Sequence, residues 1–286
     1  MIKICRFANS AGAIQWGVVN PDDSIGSLAG VGVASLGDVV EAKDPLGILQ
    51  RAIEKGLPSI ASDQIRLLAP VDRQEVWAAG VTYLRSKAAR MEESEFSASA
   101  YDRVYDAERP ELFLKSLPEK VVATGGQVGI RSDSNWNVPE PELALVMNSS
   151  GTVVGCTIGN DMSSRDIEGE NTLYLPQAKV YRLSCALGPC IVIGATESEA
   201  REWTIHLTIE RSGETAFAGE TSVSQLKRSF DELAEFLFRC QDHPHGAVLL
   251  TGTGLVPPDE FTLAVDDVVT IRISGIGQLV NTVVSV

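Results

Sequence analysis

The tetrapeptide Pro139-Glu140-Pro141-Glu142 sets two carboxylates two residues apart on a backbone that prolines restrict. Asp161 follows nineteen residues after Glu142, within Gly159-Asn160-Asp161-Met162-Ser163-Ser164-Arg165-Asp166. A residue that precedes proline is pushed out of the helical region into extended conformations. Proline itself favours the start or edge of a strand. With the apolar run Leu143-Ala144-Leu145-Val146 behind it, the segment reads as a strand over Glu140 to Val146. Residues i and i+2 of a strand project from one face, so Glu140 and Glu142 lie side by side. Two anions so close repel unless a cation, a proton or an arginine lies between them. With Asp161 they form an all-oxygen set that suits magnesium, calcium or manganese better than zinc. The competing reading is a solvated strand face, which would win for an isolated pair of this kind. Here apolar sequence follows at once and a second acidic motif lies close by.

The composition bounds what such a site can serve. A chain of 286 residues can bury a sizeable core in one large domain or two smaller ones. With 44% hydrophobic and 22% charged residues it has the make-up of a soluble globular protein. A net charge of −14 argues against a nucleic-acid surface, which needs clustered Lys and Arg, and leaves a small molecule as the expected partner. Cys5, Cys156, Cys185, Cys190 and Cys240 are odd in number and form no CxxC pair, which fits a reducing cytoplasm, with most of them small buried residues. His206, His243 and His245 offer no persuasive nucleophile partner, and His243-Pro244-His245 reads as a polar loop rather than a metal pair. Signal-peptide features are not expected at Met1-Ile2-Lys3-Ile4-Cys5-Arg6, and no apolar run approaches a membrane span. Dinucleotide, phosphate-loop and nucleophile-elbow motifs do not occur.

The elements that must position the acidic groups read as an α+β fold. Ile2 to Phe7 and Ile14 to Val19 form strands about the turn Asn9-Ser10-Ala11-Gly12, and Leu36 to Ala42 and Pro45 to Lys55 are helical. Asp44 serves as N-cap, Pro45 as first helical residue and Gly56 as terminator. This makes residues 1–70 a small N-terminal α/β domain and 71–286 a β-rich catalytic domain. Val76 to Gly80 is a short buried strand, and Tyr83 to Glu95 a charged helix. Strands then dominate, broken by a helix over Gln225 to Cys240 with Ser224 as its cap. Val268 to Ser274 and Leu279 to Val284 form a hairpin about Gly275-Ile276-Gly277.

From Val76 onward the chain resembles the fumarylacetoacetate hydrolase family. The resemblance rests on Ala79-Gly80-Val81-Thr82-Tyr83, Phe113-Leu114-Lys115, Glu140-Pro141-Glu142-Leu143-Ala144, Asn160 to Asp166, Lys179, Gly188-Pro189 and Thr251-Gly252-Thr253-Gly254, which stand in the family's order. Within the family the chain looks most like its sugar-acid dehydratases, through Val81-Thr82-Tyr83 with Ser86 to Arg90, Tyr105 to Glu111, Arg131 to Trp136 and Glu170 to Lys179. The resemblance implies a catalytic β-roll, a homodimer or dimer-based oligomer, and Mg2+ (Mn2+ or Ca2+ as alternatives) held by Glu140, Glu142 and Asp161. Lys179 and Glu111 match catalytic positions, and Arg165 and Thr253 match substrate contacts. Tyr83, Arg85 and Arg90 read either as part of a mobile lid over the site or as a charged helix without catalytic duty, and Tyr83 and Ser86 are candidate substrate-binding residues. Glu168 and Glu170 are outer groups or a solvated turn with about equal weight.

Ser86 marks a departure. C–C bond hydrolases of the family carry a histidine there, and a serine without a base is a poor general base. The expected activity is therefore dehydration of a 2-keto-3-deoxy sugar acid, a pentonate giving 2,5-dioxopentanoate. The alternative is a hydrolase or decarboxylase of diketo acids. Ordinary readings stand beside these: Lys179 as a surface cation, Glu111 paired with Arg109, and Arg165 paired with Asp166.

Overall fold

The computed structural model of the chain describes residues 1–83 and 104–286. Arg85, Ser86, Arg90 and all but the first residue of the helix expected over Tyr83 to Glu95 lie outside the described residues. Among the described residues the fold is mostly strand. An eleven-stranded sheet runs in the order Ser59–Ile60, Ile25–Ser27, Ile14–Val19, Ile2–Asn9, Cys185–Ile193, Val153–Asp161, Pro141–Met147, Ala247–Leu250, Glu75–Gly80 and Glu111–Ser116, with Ile65–Leu68 also paired to Ile2–Asn9. Ile2 to Ile4 lie against Ile193 to Ile191, so the N-terminal strands continue the same sheet.

The middle of that sheet is covered on both faces, which is why Pro141–Met147 is buried at every position instead of alternating. One face packs Ala144, Val146, Ile191 and Val248 against Leu28, Leu36, Val39 and Leu49 of the N-terminal part. The other packs Leu143, Leu145 and Ile158 against a five-stranded sheet and a helix. The five strands are Glu214–Ser222, Thr204–Arg211, Val268–Ile273, Gly277–Ser285 and Gln127–Ile130. The expected hairpin pairs Val268–Ile273 with Gly277–Ser285. Helix Pro45–Glu54 has the expected cap: Asp44 accepts from the Gly47 N–H at 2.9 Å, and Gly56 follows at φ +80°.

The second helix is shorter than its periodicity suggests. It covers Phe230–Phe238 and is capped by Ser229, not Ser224. Val223–Gln225 is a single 3-10 turn, and Leu226 is extended. Tertiary partners take the backbone between them. Leu226 bridges Tyr83, Lys227 N–H donates to the Thr82 carbonyl, and Arg201 donates to the carbonyls of Leu226 and Arg228 at 2.8 and 3.0 Å. His243 also departs from expectation. It is buried against Trp77 and Phe238, with Nδ1 3.5 Å from Glu75, and is not part of a polar loop.

Four strands carry the acidic groups to one place. Glu75–Gly80 and Ala247–Leu250 are parallel and end side by side, at Gly80 and Thr251-Gly252-Thr253. Pro141–Met147 runs the other way and starts there, and Val153–Asp161 ends there.

Candidate active site

Pairing of Pro141 with Asn160 and Glu142 with Gly159 sets the register that brings Asp161 to Glu140. The Asp161 N–H donates to the Glu140 carbonyl at 3.0 Å. Carboxylate oxygens of Glu140, Glu142 and Asp161 then all lie within 4.8 Å of one another, and all three residues are buried. A solvated strand face is thereby ruled out. The residue paired with Glu142, Gly159, adds no side chain to the site. Gly252 holds the second oxygen: its N–H donates to Glu142 Oε2 at 2.6 Å. It does so at φ +90°, with Thr82 Oγ1 2.0 Å from where a Cβ would stand. Burial first, then the charges of Asp161 and Glu140, push the Glu142 carboxyl well above its ordinary value, against the pull of Lys179 and the Gly252 N–H.

Three buried cations surround the triad. Lys179 Nζ donates to Glu140 Oε2 at 2.6 Å and to Ser163 Oγ at 2.5 Å, and lies 3.5 Å from Asp161 Oδ2. It is fully buried, not a surface cation. Arg165 donates to Glu140 Oε1 at 2.6 Å. Asp166 does not take Arg165 as its described partner; it accepts from Ser134 Oγ at 2.5 Å and from the Asn135 N–H at 2.7 Å. Those two bonds tie the start of helix Arg165–Glu170 to the Arg131–Trp136 loop. Arg165 and Glu168 are the buried residues of that short helix, one turn apart on its inner face. Glu170, by contrast, is exposed.

Lys115 also touches the triad, although sequence reasoning left it without a role. It is fully buried, pairs with Asp161 Oδ1, and donates to the Met162 carbonyl at 2.9 Å and to the Lys179 carbonyl. Strand Glu111–Ser116 carries Glu111, Phe113 and Lys115 at alternate positions, which was the available signal, but its register against Glu75–Gly80 shifts at Lys115, between the pairs Trp77–Leu114 and Val76–Ser116.

A small pocket over the triad is lined by Glu140, Glu142, Asp161, Gly80, Phe113 and Thr253, with Ala79, Val81 and Gly252 completing it. Glu111 stands opposite Gly80, and its Oε2 lies 1.8 Å from where a Gly80 Cβ would be, so the missing side chain makes room for the carboxylate. Arg109 lies over the Phe236 ring at 5.6 Å. Thr253 Oγ1 donates to the Leu255 carbonyl at 3.0 Å and accepts from the Leu255 N–H at 3.2 Å. Tyr83 is fully buried behind Gly254, and burial, with the Glu142 charge, holds its phenol above the usual value and neutral. The described lining contains no histidine.

A model of the fumarylacetoacetate (FAA) hydrolase C-terminal domain matches residues 75–284. The chain belongs to the fumarylacetoacetate hydrolase family. The family match takes in all the residues of the triad and its cations, and the N-terminal strands lie outside it. A probable 2-keto-3-deoxyxylonate dehydratase of Haloferax volcanii is 50% identical over 217 residues, 76% of this chain and 74% of that protein. The 2-dehydro-3-deoxy-D-arabinonate dehydratase of Saccharolobus solfataricus is 40% identical over 230 residues, 79% of this chain and 77% of that protein. Among solved structures, a 2-keto-3-deoxy-D-arabinonate dehydratase complexed with magnesium and 2,5-dioxopentanoate superposes with a TM-score of 0.81 at 33% identity, over 99% of each chain.

Proposed function

We propose that this protein is a magnesium-dependent dehydratase of 2-keto-3-deoxy sugar acids, converting a pentonate to 2,5-dioxopentanoate. The observation that carries the reading is the buried Glu140–Glu142–Asp161 triad with Lys179 beside it, in a chain that over 217 residues is 50% identical to a probable dehydratase. The donor set fits a hard dication. It is all oxygen, desolvated, and so crowded with negative charge that Glu142 is driven towards its protonated form. Among the described residues, Glu140, Glu142, Asp161 and Glu168 face Lys115, Arg165 and Lys179, four acids against three bases. A divalent ion at the triad would offset that excess negative charge and favour an anionic substrate.

Glu140, Glu142 and Asp161 would hold the ion, and bound there it supplies polarisation of the keto group and stabilises negative charge on that oxygen. The remaining work falls to protein side chains. A proton leaves C3, the C4 hydroxyl departs with a proton, a proton then moves from C5 to C3, and the resulting enol loses its O5 proton as C4 gains one, to give the aldehyde. Lys179 and Glu111 are the proposed proton-transfer pair. Arg165 and Thr253 are proposed to orient the acid, and Tyr83 and Ser86, the latter outside the described residues, are proposed as further substrate-binding residues. Phe113, Ala79 and Val81 form the apolar part of the pocket lining and would accommodate the deoxy carbon. The division into residues 1–70 and 71–286, a homodimeric assembly and a cytoplasmic location belong to the same proposal. No described helix is long and apolar enough to cross a membrane.

Incubation with magnesium and a panel of 2-keto-3-deoxy pentonates and hexonates tests the reading. Loss of one water with appearance of an aldehyde is expected. Release of pyruvate with a second fragment, or of carbon dioxide, would replace it with the hydrolase or decarboxylase alternative.

A further inference from the structure

Glu168 stands beside the proton-transfer lysine without a part in the reaction as drawn above. The side chain is fully buried, on the inner face of the helix that also presents Arg165. A carboxylate is kept in a protein interior where a charge or hydrogen bonds support it. Its Oε1 lies 4.0 Å from Lys179 Nζ. The amine now leans the other way, on Glu140 Oε2 at 2.6 Å and towards Asp161 Oδ2 at 3.5 Å. Both of those oxygens belong to the proposed ligand set. A divalent ion on the triad would draw on their charge and repel the ammonium as well. Of the three carboxylates described within ion-pair reach of Nζ, Glu168 is the one outside the triad.

We infer that Glu168 is a positioning residue: with the triad occupied, it draws Lys179 away from the metal ligands and holds the amine aimed at the substrate. The inference rests on the dehydratase reading for its consequence in turnover, and on the triad alone for its geometry. Closing the gap from 4.0 Å to hydrogen-bond distance, about 3 Å, needs only rotation about the last bonds of the lysine. Ser163 Oγ, 2.5 Å from Nζ, can stay bonded throughout.

The test has a structural and a kinetic arm. In a crystal of the wild-type protein grown with magnesium, the Lys179 Nζ to Glu168 Oε1 separation should contract to about 3 Å. In Glu168→Gln, which keeps the shape and removes the charge, Nζ should remain on Glu140. Magnesium affinity and KM should stay within about threefold of wild type, while kcat falls about 100-fold. Glu168→Asp should recover at least about a tenth of the lost kcat. A merely structural role would not split kcat from KM in this way. An unchanged separation in the magnesium-bound wild type, or wild-type kcat in Glu168→Gln, would overturn the inference. Should the wild-type protein dehydrate no 2-keto-3-deoxy acid, the dehydratase reading falls instead, and the contraction on magnesium binding alone decides the role of Glu168.

Discussion

Raising the pH should tighten magnesium binding at the triad and, with metal withheld, weaken the fold. Both effects trace to Glu142. Its carboxyl is pushed well above its ordinary value of 4.5 by burial, then by Asp161 and Glu140. The metal-free folded protein therefore keeps a proton on Glu142 across a window above 4.5 in which the unfolded chain has released it. Within that window the native state binds more protons than the unfolded state, so stability falls as pH rises. The fall is about 1.4 kcal/mol per pH unit and stops once the pH passes the folded-state pKa. Below 4.5 this contribution is present in full. Magnesium reverses the trend, because the proton must leave before the carboxylate can ligate. Its association constant should rise up to about tenfold per pH unit inside the window.

Glu142→Gln removes both slopes, because an amide does not titrate. Unit charges 4 Å apart at an effective dielectric of about 20 attract by about 4 kcal/mol. The glutamine oxygen remains a weak ligand and avoids the cost of desolvating an anion, so a net loss of about 2–3 kcal/mol is expected. That is about 30- to 150-fold in Kd. Calorimetric titration with magnesium across a series of buffers from acid to mildly alkaline reads the affinity. Thermal unfolding with a chelator in the same buffers reads the stability. A wild-type magnesium affinity that does not move with pH, or a Glu142→Gln variant with the same slope as wild type, would refute the reasoning.

Gly252→Ala should cost about 2–4 kcal/mol, since it combines a left-handed conformation at φ +90° with a Cβ 2.0 Å from Thr82 Oγ1 and loosens the N–H bond to Glu142. Chemical denaturation with a chelator present, followed by magnesium titration, measures both losses. Gly80→Ala meets only the far end of a flexible side chain, Glu111 Oε2 at 1.8 Å. It should leave stability within about 1 kcal/mol of wild type while lowering kcat; full activity in that variant would remove Glu111 from the proton-transfer pair. Lys115→Met removes one of the two buried lysines paired with Asp161 and should destabilise the metal-free protein by about 3 kcal/mol, with magnesium restoring part of the loss. Urea unfolding with and without magnesium checks that, and an equal loss in both conditions would separate Lys115 from the triad.

What could be read from the sequence was local. Pro139 and Pro141 constrain their own neighbourhood, so the shared face of Glu140 and Glu142 follows from the backbone. Asp44, Pro45 and Gly56 likewise mark their helix without help from distant residues. What could not be read depends on contacts far along the chain. The start of the helix at Phe230 is decided by Thr82, Tyr83 and Arg201, which take over the backbone around Leu226. His243 looks polar beside Pro244, yet its burial is decided by Trp77 from another strand. Glu168 resembles a solvated turn because a helix of six residues shows no apolar stripe.

Lys115 shows the same limit in the chemistry. Its alternate spacing with Glu111 and Phe113 could be read, but neither the register shift at Lys115 nor the sealing of its surroundings from water is local. Once they are sealed, an unpaired ammonium there would be very costly. Its presence therefore means that matching negative charge is built in around it. The cluster goes further, with four buried acids against three buried bases. An interior rarely keeps an uncompensated charge, so the excess points either to a proton on Glu142 or to a cation of higher charge on the triad. These are two states of one site, and their exchange makes metal binding pH-dependent. The overall charge of −14 carries no hint of this, because it sums a surface that plays no part in the site.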